Sequence, residues 1–276
     1  MQPYIFTHSH SLPSSSRGFT LVEIMIALVL GLFLLTGLYT VLGSNQLTYS
    51  AVNSSIRITD NGRQLLTLLR NQIQQAGFKN LATIKSQSGF PSDQSGSYAT
   101  AKFAAGQFIS GIENFPVSET NRATGSDEIR LRFFGAAASS ADPAVADNTI
   151  FDCLGQGVSE SNPNPITLSI FVSRANDLIC RDSLNNNDVI MAQNVESLQF
   201  RYMPLNGSFF RADEMTAAQW LTLNRVEFGL LISEPTSQGV VSGVTTSYQL
   251  LDTTQTKSND RLRQVFSQMV YIRNKG

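Results

Sequence analysis

The sequence predicts an α+β protein in which a long N-terminal helix, membrane-spanning in its first half, packs on an antiparallel β-sheet head. Three observations support this class. An apolar run fills residues 19–42, helical periodicity continues to residue 76, and the downstream sequence alternates apolar and polar residues with a period of two. One long helix followed by a series of strands is typical of α+β folds.

Residues 19–42 are long enough to cross a membrane as a helix. At about 1.5 Å per residue they cover a hydrocarbon core of about 30 Å. Arg17 directly precedes the run, and the next cation is Arg57. Because positive charge is retained on the cytoplasmic side, we predict a cytoplasmic amino terminus and a head on the opposite side.

Glu23 is the only charged residue of this run. A carboxylate within a bilayer is unfavourable unless it is paired or protonated, and such residues usually mark a function. We therefore expect Glu23 to have a partner. The alternative is an unpaired side chain that reaches the membrane interface.

The helix is predicted to continue as an outer half, residues 44–77. Apolar residues recur there at the spacing of one helical face: Leu47, Val52, Ile56, Leu65, Leu66, Leu69, Ile73 and Ala76. Gly77 is a predicted C-cap because glycine adopts the left-handed conformation that ends many helices. Bending or local melting is expected at Gly31, Gly37, Gly43 and Gly62.

The remaining residues, 78–276, are predicted to form the β-rich head. Strands are expected near residues 129–133, 166–173, 197–202, 225–233 and 264–273, with a short helix at 213–221. We expect the outer half of the helix to pack on the resulting antiparallel sheet.

Composition argues against an enzyme. The formal net charge is −1, and the only histidines, His8 and His10, lie upstream of the apolar run. The rest of the chain therefore lacks the commonest general base and metal ligand. We predict no catalytic residues and no cofactor.

The two cysteines of the chain, Cys153 and Cys180, are predicted to form a disulfide if the head faces an oxidising compartment. Closing that loop would stabilise the head by roughly 3 to 4 kcal/mol. The alternative is two separate buried thiols.

Two polar segments each allow a binding site and a simpler interpretation. Asp182, Asn185, Asn187 and Asp188 carry oxygen atoms suited to calcium, but their spacing does not fit an EF-hand, and the same residue types favour a tight turn. Near the C-terminus, cations lie beside Phe266 and Tyr271 in a pattern compatible with nucleic-acid binding: Arg261, Arg263, Arg273 and Lys275. Alternating apolar residues favour an amphipathic strand instead, so we expect neither a metal nor a nucleic-acid partner.

The stretch "RGFTLVEIMIALVLG" resembles the class III signal of type IV pilins and type II secretion pseudopilins. This resemblance implies that residues 1–18 are a leader, that prepilin peptidase cuts between Gly18 and Phe19, and that Phe19 is N-methylated. Residues 19–43 would then be the membrane and assembly helix. Glu23 would be the fifth residue of the mature chain and would pair with the amine of a neighbouring subunit.

Further segments, in this order, resemble the PilW minor pilins, with GspJ-type pseudopilins as the nearest relatives: "DNGRQLLTLLRNQIQQAGF", "GSDEIRLRFF", "DCLG", "NVESLQFRYM" and "DRLRQVFSQMVYIRN". The resemblance implies a minor pilin that takes part in the initiation of type IV pilus assembly, in a complex at the pilus tip.

The implied partners are prepilin peptidase, other minor pilins, the major pilin and the inner-membrane assembly machinery. The implied location is the bacterial inner membrane, with the head in the periplasm, and then the pilus fibre. Two alternatives remain: a GspJ-like pseudopilin of a type II secretion system, and a signal-anchored binding domain that never polymerises.

Overall fold

The computed structural model describes residues 18–80, 89–95, 102–139, 141–184, 186, 188–235, 245–258 and 261–274. The chain divides into two compact units, Met1–Tyr49 and Ser50–Gly276. Helix α1, Leu21–Gln75, contributes its first part to the first unit and its remainder to the second.

The first unit contains the apolar part of α1. Its large side chains, such as Phe33 and Leu34, are exposed. The hydroxyls of Thr36 and Thr40 each donate to the carbonyl four residues earlier, at 2.8 Å. Because these bonds satisfy the hydroxyls within the helix, the exposed surface is suited to lipid. Within the described part of the chain, α1 alone is long and apolar enough to cross a membrane.

In the second unit α1 buries one face. Ile58, Leu65, Leu69 and Ile73 are each at most 4% exposed, and they share a face because helical residues four or seven positions apart lie above one another. They belong to a single buried cluster with side chains from both of the larger sheets described below.

The first of these sheets has five antiparallel strands in the order β1-β2-β5-β6-β7. The strands are β1 Ile109–Ile112, β2 Glu128–Phe133, β5 Ile166–Val172, β6 Leu178–Asp182 and β7 Asp188–Ala192. A separate hairpin of β3 Ala137–Ser139 and β4 Asp142–Ala146 lies between β2 and β5 in the chain.

The second larger sheet has three antiparallel strands in the order β12-β9-β8. They are β8 Val195–Pro204, β9 Leu223–Pro235 and β12 Arg261–Tyr271. A hairpin of β10 Thr245–Leu250 and β11 Thr253–Ser258 separates β9 from β12 in sequence.

The prediction of an α+β fold is confirmed, and the five predicted strands are present as β2, β5, β8, β9 and β12. The predicted helix at 213–221 is shorter. It is α2, Ala217–Leu221, and a 3₁₀ turn, Ala212–Glu214, precedes it. Thr216 separates the two because its hydroxyl caps α2, accepting a hydrogen bond from the N–H of Gln219 at 3.3 Å.

The four glycines expected to bend or melt α1 do not interrupt it, so the predicted local melting is not found. At Gly62 the structure supplies another reason for glycine. A Cβ added there would lie 2.3 Å from Cζ of Phe266 on β12. Gly62 therefore permits close contact between the helix and the last strand.

The C-terminal end of α1 is held by a distant part of the chain. Gly77 adopts a φ of +77°, as its predicted role as a C-cap requires, and its N–H donates to the carbonyl of Arg132 at 2.8 Å. The side-chain amide of Asn274 donates to the carbonyls of Gln74 and Ala76 at 3.2 and 3.3 Å. The last carbonyls of the helix therefore have partners.

A buried carboxylate joins the two larger sheets. Asp127 directly precedes β2 and is 1% exposed. Its Oδ1 accepts a hydrogen bond from the N–H of Asn114 at 2.9 Å, and its Oδ2 accepts one from the N–H of Phe200 on β8 at 2.8 Å. The Asp127 N–H in turn donates to the carbonyl of Leu198 at 2.8 Å. Oδ2 and the backbone N–H of Asp127 thus bind β8 of the second sheet, while Oδ1 holds the segment that follows β1 of the first.

Candidate processing and assembly site

The start of α1 is a capping box formed by Thr20 and Glu23. One carboxylate oxygen of Glu23, Oε2, accepts hydrogen bonds from the N–H of Thr20 at 2.9 Å and from its hydroxyl at 3.1 Å. The N–H of Glu23 donates back to the Thr20 hydroxyl at 3.3 Å. These reciprocal bonds satisfy backbone groups that the first turn of a helix otherwise leaves unpaired.

Thr20 is the residue of this site that sequence reasoning did not identify. The signal was present, since "TLVE" has the Thr-x-x-Glu spacing of a capping box. Glu23 therefore has a local partner within its own chain, in addition to any role in assembly. The geometry leaves its pairing with a neighbouring subunit a prediction.

Packing among the described residues gives no reason for glycine at position 18, because a Cβ added to Gly18 would meet none of their atoms within 4 Å. Phe19 is 84% exposed. The Gly18–Phe19 bond therefore lies at an exposed position of the described chain.

In the head, Cys153 and Cys180 form the predicted disulfide, with an S–S distance of 2.06 Å and a Cα–Cα distance of 5.6 Å. The alternative of two separate thiols is wrong. The bond attaches the loop around Cys153 to strand β6, and both cysteines are buried.

The calcium candidates lie at the β6–β7 turn. Oδ1 of Asp182 accepts from the N–H of Leu184 at 2.9 Å, and Asn186 has a φ of 51°. Asp188 is bound by the guanidinium of Arg181 at 2.6 and 2.9 Å, and this hydrogen-bonded ion pair lowers the pKa of Asp188. Asn185 and Asn187 lie outside the described residues. The described part of this segment forms a tight turn, the interpretation that the residue types favoured.

The basic C-terminal segment lies mostly in β12, as its alternation indicated. Nε of Arg263 donates to Glu196 at 2.9 Å in a buried ion pair, and Arg261 donates to the side chain of Asn194 at 2.6 Å. Two of the four cations are thereby bound within the head. Lys275 lies outside the described residues.

Two protein-family models match this chain, one at its N-terminal segment and one in the head. Residues 13–39 match the family described as "Prokaryotic N-terminal methylation motif". This match confirms the predicted resemblance to a prepilin motif, and together with the long apolar helix it fits a membrane-anchored pilin.

Residues 158–274, which contain β5 to β12, match the family "Type IV Pilus-assembly protein W". The predicted resemblance to the PilW minor pilins is therefore confirmed over residues 158–274.

Among solved structures, the chain is similar to a type IV-like pilin from Thermus thermophilus. The similarity covers 79% of this chain and 98% of that one, at 16% sequence identity and a TM-score of 0.45. No curated protein sequence gives a significant match.

Proposed function

We propose that this protein is a minor pilin that is cleaved after Gly18, methylated on Phe19 and incorporated into a type IV pilus. It takes part in the initiation of assembly, in a complex at the tip with other minor pilins and the major pilin. One observation carries the proposal. Glu23, the only charged residue of the exposed, membrane-length run 19–42, lies about one helical turn after the accessible Gly18–Phe19 bond.

Processing divides the chain into parts with different tasks. Prepilin peptidase removes residues 1–18 and leaves a free amine on Phe19. Residues 19–43 hold the protein in the inner membrane and pack between subunits in the fibre, because their apolar side chains are exposed for such contacts. Residues 44–77 and the head, 78–276, lie in the periplasm before assembly.

The capping box allows Glu23 to act within its own chain and between chains. Both bonds from Thr20 reach Oε2, and within the described part of the chain Oε1 accepts no hydrogen bond. The amine of an incoming subunit can therefore bind Oε1 while the cap stays intact. Charge neutralisation by that amine would stabilise the carboxylate in an apolar surrounding.

Replacement of Gly18 by leucine is expected to leave the full-length precursor uncleaved in cells that carry prepilin peptidase. The added side chain meets nothing within the described chain, so the effect would come from the peptidase. Gel mobility and mass spectrometry of the N-terminus measure it. Gly31→Leu is the matched control and should be cleaved, because a Cβ added at Gly31 on α1 also meets nothing within 4 Å among the described residues. Cleavage of the Gly18→Leu protein at the same bond would contradict the proposal, whereas a wild-type chain that stays uncleaved would favour a non-polymerising anchored domain.

Three substitutions separate the two roles of Glu23. Glu23→Gln keeps a capping-box residue but removes the charge, whereas Thr20→Ala removes the cap but keeps the charge. If pairing with an amine matters, Glu23→Gln and Glu23→Ala should both be processed yet lose at least about tenfold of their incorporation, as expected for loss of a buried charge pair. Thr20→Ala should retain most of its incorporation.

The amount of the protein in sheared filaments, relative to the membrane fraction, provides the measurement. Normal incorporation of Glu23→Gln together with failure of Thr20→Ala would show that Glu23 acts only as a helix cap.

A further inference from the structure

A groove in the head runs between the outer half of α1 and the loop that contains Cys153. We name it the disulfide-loop groove. It encloses about 540 Å³ and is lined by Arg63, Gln64, Thr67, Leu68, Asn71, Gln72, Phe151 and Gly155. A second cavity of about 350 Å³ shares three of these residues and extends the groove towards Arg273.

The loop wall of the groove is held firmly in place. Gln75 on α1 pairs with the backbone of Phe151 in both directions: its Nε2 donates to the carbonyl at 2.9 Å, and its Oε1 accepts from the N–H at 3.1 Å. Oδ1 of the buried Asp152 accepts from the N–H groups of Leu154 and Gln156 at 2.9 and 2.8 Å. With the disulfide at Cys153, the loop is ordered before any partner binds, which lowers the entropic cost of binding.

This rigid loop presents apolar side chains to solvent. Phe151 is 37% exposed and Leu154 is 54% exposed. Exposed aromatic and aliphatic side chains on an ordered frame are the usual anchors of protein–protein interfaces. The helix contributes the partly exposed Leu68 to the same groove.

The charged side chains that line the groove and the second cavity, Arg63 and Arg273, are both basic. Arg63 and Arg70 are exposed on one side of α1, since they are seven residues apart, and Arg273 lines the second cavity. No carboxylate of the described residues lies within 4 Å of Arg63 or Arg70, and neither cavity is lined by an acidic residue. A complementary partner must therefore supply a carboxylate beside an apolar side chain.

We propose that the disulfide-loop groove binds a segment of a neighbouring, different filament subunit that presents a carboxylate next to an apolar side chain. The apolar side chain packs on Phe151 and Leu68, and the carboxylate pairs with Arg63. A symmetric pair of this same face is disfavoured, because it would bring the arginines of two copies together. The inference rests on the proposed function in taking the partner to be a filament subunit.

Site-specific cross-linking in cells that form the filament tests this inference. A photo-activatable amino acid replaces Thr67, which is exposed and lines the groove, and mass spectrometry identifies the adduct. We expect an adduct with another protein that carries a prepilin motif. Arg63→Glu should reduce its yield about tenfold, since an attractive pair becomes a repulsive one. Arg57→Glu makes the same change at an exposed position of α1 outside the groove and should leave the yield unchanged.

The possible outcomes separate this inference from the proposed function. If the chain is cleaved and present in filaments but forms no adduct, the inference about the groove is overturned and the proposed function is not. The same holds if Arg57→Glu lowers the adduct yield as much as Arg63→Glu does. An adduct between two copies of this chain would show that the groove mediates self-association, and it would overturn the inference that a different subunit binds there. A chain that keeps its leader and never enters filaments would overturn the proposed function, and this inference with it.

Discussion

Joint replacement of Cys153 and Cys180 by serine is expected to lower the free energy of unfolding of the head by about 3 to 4 kcal/mol. The disulfide closes a loop with a sequence separation of 27, and its removal restores conformational freedom to the unfolded chain. Chemical denaturation of the detergent-solubilised full chain measures the change. Trp220, the only tryptophan, reports on it, since it is 6% exposed and its ring lies 4.6 Å from that of Tyr202.

A reducing agent provides the matched control for this experiment. It should destabilise the wild-type protein by a similar amount and leave the doubly substituted protein unchanged. Equal stability of the wild-type protein with and without reductant would contradict the prediction.

An increase in pH from about 5 to 8 is expected to lower the free energy of unfolding, through the carboxylates at the junction of the two sheets. Burial raises the pKa of Asp127 well above its usual range, and the nearby Glu113 raises it further. Burial also raises the pKa of Glu113, to about 7. The other charged or titratable groups around this pair are Arg211, Asp213, Asp252, Glu128 and Tyr202.

The direction of this change in the free energy of unfolding follows from proton binding. Between the ordinary pKa of a carboxyl and about 7, the folded protein holds protons that the unfolded chain releases. The stabilisation is therefore complete below about pH 4 and is lost as the pH rises through the folded-state pKa. Each proton contributes at most about 1.4 kcal/mol per pH unit, and solvent near the partly exposed Glu113 reduces its share.

Glu113→Gln is expected to flatten this pH dependence and to make the protein more stable than wild type at pH 8, because one of two repelling carboxylates is removed. Denaturation curves at pH 5, 6, 7 and 8 provide the measurement. Asp142→Asn removes an exposed carboxylate from β4 and should keep the slope of the wild type. A wild-type stability that rises over this range would show that the pair ionises normally.

The parts of the fold that the sequence predicts are those with a strong apolar period. Helix α1 and strands β2, β5, β8 and β9 each bury several apolar side chains, and β12 buries Val270 and packs the partly buried Leu262 and Phe266 on the core. The spacing of these residues is visible in the sequence. The β10–β11 hairpin was missed because β11, "TTQTKS", contains no apolar residue. Its alternation of half-buried and exposed positions is carried by threonine and glutamine, which give no hydrophobic signal.

For a related reason, the sequence predicts some parts of the candidate sites and not others. A local sequence motif indicates Gly18, Phe19 and Glu23. The disulfide is predictable because the chain has only two cysteines. The disulfide-loop groove depends on Gln75 meeting the backbone of Phe151 across 76 positions of sequence. Contacts of that range arise from the packing of whole elements, and no local pattern indicates them.

The attachment of Asn274 to the end of α1 has a consequence for secretion. Helix α1 is synthesised early, but the side chain that holds its last carbonyls follows the final strand. In the proposed topology, with a cytoplasmic amino terminus, the anchor would therefore insert long before the head can close. Until β12 and Asn274 arrive, the incomplete head would be exposed to periplasmic chaperones and proteases.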